Sequence, residues 1–290
     1  MLYTVKAQND PLYSQYMLNT LPLNPAYAGS QGHLTTTALY RKQWTNLEGS
    51  PSTQTFSIHS PLKNKKIALG ISAFHDKISV TSKTGFYGVY AYRINFKNKS
   101  TLSLGLQAGL TNLTSRLSQL QTRLPDDPAV NNDRIIYISP NFGSGAYWYS
   151  EKFYLGISIP DLIEINSNKK RQQVVSSKQL FIHGGIVYKL SSQLKYMPGF
   201  LIKAVKGNAL QYDLNNIIII NDVLWIGVSY RVNSSVNFLL QAQLTNQLSL
   251  GYSYDRSIGK YSNQFGSTHE LKLSYRFVYF KDSAFMPRYF

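Results

Sequence analysis

The sequence predicts an all-β fold, a transmembrane antiparallel β-barrel of about 14 strands of the outer-membrane type, preceded by an N-terminal lead-in. Three observations favour this class: a recurring period-two hydrophobic pattern, a regular difference in length between alternate connections, and the absence of long apolar runs. The longest apolar runs, such as 217–220, are far shorter than the roughly 18 residues that a spanning helix needs.

Apolar and polar residues alternate along most of the chain after residue 30. In segment 102–110, leucine and alanine alternate with serine, glycine and glutamine, and segments 180–190, 248–255 and 271–277 share this period. A strand with one apolar face and one polar face has this signature. The predicted strands are 32–43, 52–61, 66–76, 83–95, 99–110, 139–149, 151–159, 178–190, 194–206, 209–220, 222–232, 235–244, 247–255 and 267–279.

The connections between these strands differ in length by parity. Every second one is short: 62–65, 96–98, 150, 191–193, 221 and 245–246. The alternate set contains all the long ones, 44–51, 77–82, 111–138, 160–177 and 256–266, together with two short ones, 207–208 and 233–234. Transmembrane barrels have short periplasmic turns and longer extracellular loops. An even strand number then predicts an outer-membrane location with both termini periplasmic.

The polar face of the predicted strands suits a wet interior. Lys203, Asp213, Glu270, Lys272 and Arg276 all fall on it, and fourteen strands enclose more space than side chains can fill. Aromatic residues cluster at segment ends, where the girdles of a membrane barrel lie. A soluble all-β protein with aromatic-rich turns remains the alternative.

Composition argues against several function classes. The formal net charge is +16, from 30 Lys and Arg and 14 Asp and Glu, but the cations are scattered and no nucleic-acid-binding motif is present. There is no cysteine, and the five histidines lack metal-ligand spacing. No Gly-x-Ser-x-Gly motif occurs. We therefore expect no enzyme activity, no cofactor, no metal site and no nucleic-acid partner.

Four segments follow from this pattern. Residues 1–7 form a residual signal-like segment, because Val5-Lys6-Ala7 has the small-x-small form of a cleavage site without a preceding apolar region. Residues 8–31 form a lead-in with a Tyr13/Tyr16/Met17 face and Asn-Pro turns, which either enters the lumen as a plug or lies along the periplasmic rim. Residues 32–280 form the barrel, and 281–290 form a C-terminal extension.

Motifs along the whole chain resemble one family. They are Asp-Pro-Leu-Tyr-Ser-Gln-Tyr-Met-Leu-Asn from residue 10, Asn-Pro-Ala-Tyr-Ala-Gly-Ser from residue 24, Tyr-Arg-Lys-Gln-Trp from residue 40, Glu-Gly-Ser-Pro-Ser from residue 48, and the closing Gly-Ser-Thr-His-Glu-Leu-Lys-Leu-Ser-Tyr-Arg-Phe from residue 266. In this order they resemble the PorP/SprF family of outer-membrane proteins of the type IX secretion system of Bacteroidota. The sequence departs from the family in its shortened signal peptide and in the residues after Phe277.

The resemblance implies a non-enzymatic role in secretion and gliding motility. Members are needed for secretion or surface attachment of cargo, such as gliding adhesins, that carries a C-terminal sorting domain. They are thought to sit beside a periplasmic ring of lipoprotein and partner subunits, within outer-membrane lipid. A passive outer-membrane pore for small solutes is the alternative function.

Eight residues in the most recognisable motifs are the candidates for partner binding. They are Tyr13, Tyr16, Asn24, Pro25 and Tyr27 in the lead-in, with Arg41, Gln43 and Trp44 in the predicted first loop. The alternative for each is structural: the tyrosines and prolines seal the periplasmic mouth, and Trp44 is a girdle aromatic.

Overall fold

The protein forms a closed antiparallel β-barrel of fourteen strands. A computed structural model describes residues 13–116, 135–164, 178–205, 208–258, 262–277 and 289. The strand segments are β1 Leu34–Lys42, β2 Ser52–Pro61, β3 Ile67–Ile78, β4 Thr81–Asn95, β5 Thr101–Ser115, β6 Ile135–Tyr149, β7 Phe153–Glu164, β8 Gln179–Ile186, β9 Tyr188–Lys189, β10 Leu194–Val205, β11 Gln211–Ile220, β12 Leu224–Arg231, β13 Ser235–Gln243, β14 Leu248–Ser257 and β15 Ser267–Phe277. A single helical turn, Ser262–Phe265, lies between β14 and β15.

Pairing of the first and last strands closes the barrel. Each strand pairs with its sequence neighbours, and β1 pairs with β15 over nine residues from Leu34↔Phe277 to Lys42↔His269. Segments β8 and β9 both pair with β10 and are interrupted only at Val187, so they form one barrel strand. No sheet edge is left open, which removes the template for edge-to-edge association.

The predicted strands agree with the observed ones to within two residues, except at the β5–β6 hairpin and at the end of β7. Strand β7 continues to Glu164, into the predicted 160–177 loop, and the predicted 77–82 connection is shortened to 79–80. Strands β5 and β6 continue to Ser115 and begin at Ile135, so the predicted 111–138 loop contributes residues to both strands. At 111–115 threonine, asparagine and serine interrupt the hydrophobic alternation, and the pattern disappears although the ladder continues. A register shift between Phe142 and Ser144 interrupts the pairing of β6 with β7.

The distribution of apolar and polar side chains between the outside and the inside of the barrel is the inverse of that in a soluble protein. Large apolar side chains such as Phe86, Leu106 and Phe238 are more than half exposed on the outer wall. Serine, threonine, asparagine and charged side chains are buried on the inner wall, among them Ser103 and Asn237. This arrangement suits lipid outside and a polar lumen inside. Among the described residues, no helix is long and apolar enough to cross a membrane.

The two ends of the barrel differ. At one end, here called the short-turn end, adjacent strands are joined through 62–66, 96–100, 150–152, 190–193, 221–223 and 244–247, and there β1 begins and β15 ends. The strand ends at the other end, called the long-loop end, are joined through 43–51, 79–80 and 232–234. The remaining connections between strand ends there, 116–134, 165–178, 206–210 and 258–266, include residues outside the described part of the chain. Phe277 is the aromatic residue that ends the last strand.

Candidate functional site within the barrel lumen

Residues 13–30 of the lead-in lie inside the barrel. Every one is buried except Leu18 and Pro22, which are partly exposed. They contain two short 3-10 turns, Tyr16–Leu18 and Pro25–Tyr27, and no strand. Because a chain without a ladder must satisfy its backbone groups elsewhere, the wall of the lumen supplies many of the partners.

A buried ion cluster holds the first residues of the lead-in. Arg41 Nη1 lies 3.0 Å from Glu270 Oε2, and Arg41 Nη2 lies 2.9 Å from Asp255 Oδ2. The Glu270 carboxylate accepts hydrogen bonds from the backbone N–H groups of Ser14 (3.0 Å) and Gln15 (2.9 Å). Ser14 Oγ accepts from Arg41 at 2.9 Å and donates to Asp255. The lead-in therefore completes a charge network that lies near the long-loop end.

A second pair of charges lies near Tyr16. Arg231 forks onto the Asp213 carboxylate with three contacts of 2.9–3.1 Å. The Tyr16 hydroxyl accepts from the Asn215 side-chain amide. The Tyr16 side chain is completely buried, and this hydrogen bond anchors its hydroxyl to β11.

The Asn-Pro motif builds the turn that occupies the middle of the lumen. Asn24 caps the turn, because its Oδ1 accepts from the Ala26 N–H at 3.0 Å, and Pro25 occupies the first helical position. Asn24 Nδ2 donates to the carbonyl of Ala146 on β6 at 3.0 Å. One side chain thus sets the local turn and ties it to the wall.

Glycines on the inner wall make room for this turn. A methyl group at Gly105 on β5 would overlap the backbone of Pro25 and Ala26, and one at Gly145 on β6 would overlap the Asn24 side chain. Backbone atoms cannot rotate away as a side-chain tip can. The absence of a side chain at Gly105 is therefore a condition for the lead-in to fit.

Aromatic rings surround Tyr27 nearer the short-turn end. Its ring makes edge contacts with His59 at 5.4 Å and with Tyr147 at 5.5 Å between centroids, and its hydroxyl accepts from Gln31 at 2.6 Å. The Gly29 N–H donates to His59 Nδ1 at 3.0 Å.

The lead-in therefore crosses the lumen lengthwise. Ser14 contacts Asp255 and Glu270, which lie two and three residues from the long-loop ends of β14 and β15. Gly29 contacts His59 and Pro61, which lie at the short-turn end of β2, and β1 begins soon afterwards at Leu34. The described lead-in runs from the long-loop end to the short-turn end.

The eight candidate residues divide into two groups. Tyr13, Tyr16, Asn24, Pro25, Tyr27 and Arg41 are all buried in the lumen. The placement of Arg41 in the first loop was wrong: it belongs to β1, directly opposite Glu270, and points inward. While the lead-in occupies the lumen, none of these six can touch an external protein.

Gln43 and Trp44 lie at the long-loop end and are partly exposed. The Gln43 N–H donates to the Pro51 carbonyl at 2.9 Å, which closes the base of the first loop. Trp44 has a φ of 50°, and its ring packs on Phe265 with centroids 5.4 Å apart. These two are the candidates that a partner can reach.

The sequence reasoning missed Ser14, Gln15 and Asp255. Glu270 was placed in the wet interior but without its partner. A usable signal existed, because Arg41 and Glu270 are opposite charges at inward positions of the strands that close the barrel. Among the described residues, no group of three or more His, Asp or Glu side chains could hold a metal ion.

Asn24→Ala is expected to loosen the lead-in without unfolding the barrel. The substitution removes the cap and the bond to Ala146, which together are worth about 1–2 kcal/mol. We expect faster proteolysis of residues 13–32 in the folded protein, with cleavage sites read by mass spectrometry. Asn98→Ala, in an exposed turn, is the control; equal cleavage in both variants would contradict the prediction.

These features define a class: an outer-membrane β-barrel whose lumen is occupied by its own N-terminal segment. The family described as type IX secretion system membrane protein PorP/SprF matches residues 5–275. The chain belongs to this family, which is a membrane component of a secretion system.

Solved structures share only the general barrel form. The Acinetobacter baumannii outer membrane protein Omp33 has a TM-score of 0.47 at 11% identity, covering 84% of this chain and 97% of that one. The CymD monoaromatic hydrocarbon channel has a TM-score of 0.48 at 13% identity, covering 92% and 93%. A Pseudomonas aeruginosa FadL homologue has a TM-score of 0.44 at 11% identity, covering 84% of this chain and 89% of that one. No curated protein matched the sequence.

Proposed function

We propose that this barrel binds and anchors a secreted surface protein through its C-terminal sorting domain and links it to the type IX secretion and gliding apparatus. The observation that carries the proposal is the occupied lumen. A barrel filled by its own chain is suited to serve as a docking platform, and membership of a secretion-system family supplies the class of partner.

The occupied lumen also weighs against the alternative, a passive pore for small solutes. Residues on both sides of the barrel bond to the lead-in, including Asp255, Glu270, Ala146 and His59. A solute would have to displace those bonds. The purified protein in a planar bilayer is therefore expected to be silent, and steady conductance would support the pore instead.

The proposed orientation places the short-turn end in the periplasm, following the usual difference in length between turns and loops. The start of β1 and the end of β15 then face the periplasmic ring of lipoprotein and partner subunits. Cargo meets the long-loop end, where Gln43 and Trp44 are accessible. The residues before Tyr13 lie outside the described part of the chain, so the prediction of a periplasmic N-terminus stays a prediction.

Affinity isolation of the tagged protein from gently solubilised native outer membrane tests the proposal. We expect mass spectrometry to identify a large surface protein with a C-terminal sorting domain, together with ring subunits. Repeated recovery of the barrel alone, under conditions that preserve other envelope complexes, would contradict the proposed function.

Trp44→Ala is expected to reduce cargo recovery at least about fivefold, since loss of an exposed aromatic anchor costs roughly 1–2 kcal/mol or more at an interface. Phe265→Ala is the control, because it removes the ring on which Trp44 packs and leaves Trp44 in place. Equal recovery in parent and Trp44→Ala would exclude Trp44 from the interface. An equal loss in both variants would assign it a structural role only.

A further inference from the structure

The exposed lysines of the short-turn end lie on one side of the barrel. Turns 62–66, 96–100 and 150–152 and the end of β9 present seven exposed lysines: Lys63, Lys65, Lys66, Lys97, Lys99, Lys152 and Lys189. Glu151 is the one acidic residue in these three turns. The turns 221–223 and 244–247, on the other arc of the same end, contain Asp222 and no cation.

Apolar side chains accompany the lysines. Phe96, in the β4–β5 turn, is 46% exposed, and Trp148, on the outer face of β6, is 41% exposed. Trp148 packs edge-to-face on Phe153, with centroids 4.8 Å apart. These three residues and Leu102, which is paired with Trp148 across β5 and β6, are called the aromatic patch.

The aromatic patch borders an open notch on the outer wall. Phe96, Leu102 and Trp148 line a space of about 670 Å³ together with Lys97. Lys99 is in the same turn as Lys97, and Lys152 adjoins Phe153 in the next turn of this end. Aromatic side chains of this kind mark the depth of the membrane–water interface, which places the three lysines at the level of lipid headgroups.

We propose that the aromatic patch and Lys97, Lys99 and Lys152 form a binding site for an anionic phospholipid. The acyl chain packs in the notch against Phe96 and Trp148, while the lysines bind the headgroup phosphate. Charge complementarity selects the lipid, because lysines near a membrane surface attract anionic headgroups. An acidic protein would use the same charges, but it would leave the outward-facing apolar notch without a role.

Quenching of Trp148 fluorescence by brominated lipid tests the site. The chain has three tryptophans, and Trp44→Phe with Trp225→Phe leaves Trp148 alone as the reporter. This protein is reconstituted into vesicles that contain brominated phosphatidylglycerol or brominated phosphatidylcholine. We expect phosphatidylglycerol to be preferred next to Trp148 by about tenfold or more, because the three lysines attract anionic headgroups.

The variant Lys97→Gln/Lys99→Gln/Lys152→Gln is expected to abolish the preference. Lys77→Gln/Arg116→Gln/Lys178→Gln is its matched control, because it removes three exposed cations at the long-loop end and is expected to keep the preference. Equal quenching by both lipids in the parent, or an equal loss in both variants, would overturn the proposal.

Native mass spectrometry of the unmodified protein, comparing retained phosphatidylglycerol with retained phosphatidylcholine, repeats the comparison without the tryptophan changes. Loss of an acidic envelope protein from isolates of the lysine variant, with lipid preference unchanged, would overturn the proposal in favour of protein docking.

Discussion

Gly105→Leu is expected to convert a silent barrel into a conducting one. A side chain at this inward position of β5 would occupy the space of the Pro25 and Ala26 backbone, which cannot yield without moving the whole turn. Once the turn leaves, a fourteen-stranded barrel encloses more space than its own side chains fill. In planar bilayers we expect discrete open-channel steps, with mean conductance about tenfold or more above the parent.

Gly88→Leu is the matched control. Gly88 lies on the outer face of β4, and the nearest atom to an added methyl group is the Ala108 carbonyl oxygen at 3.9 Å. The added side chain meets lipid, so this variant is expected to stay silent. Heat-modifiable migration on electrophoresis confirms that both variants are folded. A folded but silent Gly105→Leu protein would show that the lumen stays closed without the turn.

The strands could be predicted because their signal is local. Successive side chains of a membrane-barrel strand face lipid and the polar lumen in turn. Each pair of neighbouring residues therefore shows which side chain points outward and which points inward. The alternation ends at 111–115, where polar residues occupy both faces of β5, so the predicted strand is shorter than the observed one. The fold class needed no knowledge of distant contacts.

The path of the lead-in could not be predicted because its contacts are distant in sequence. Ser14 and Gln15 bond to Glu270, more than 250 residues away. From the sequence alone Gly105 is an ordinary strand glycine, because nothing near it in the chain shows that Pro25 and Ala26 pass across it. Arg41 falls within the predicted strand 32–43, but its position opposite Glu270 depends on the register of β1 with β15, which joins residues more than 220 positions apart.

Arg41→Ala is expected to destabilise the protein by about 3–5 kcal/mol, the usual cost of leaving a buried charge without its partner. The guanidinium is 2% exposed and neutralises two carboxylates, Asp255 and Glu270, that are equally buried. Without it the two carboxylates repel each other at low dielectric. The urea midpoint of the lipid-reconstituted barrel, followed by tryptophan fluorescence, measures the effect.

A triple variant separates charge from packing. Arg41→Ala with Asp255→Asn and Glu270→Gln removes the uncompensated charges as well as the arginine. The amide oxygen that Glu270→Gln leaves can still accept from one of the two backbone N–H groups of Ser14 and Gln15. We expect it to be more stable than Arg41→Ala alone, because the penalty arises from unpaired charge. If the triple variant were the less stable, packing of the arginine side chain would account for the loss. Arg41→Lys is expected to be more stable than Arg41→Ala, because it keeps the positive charge. It is expected to be less stable than the parent, because an ammonium cannot bridge two carboxylates and Ser14 in the planar geometry of a guanidinium.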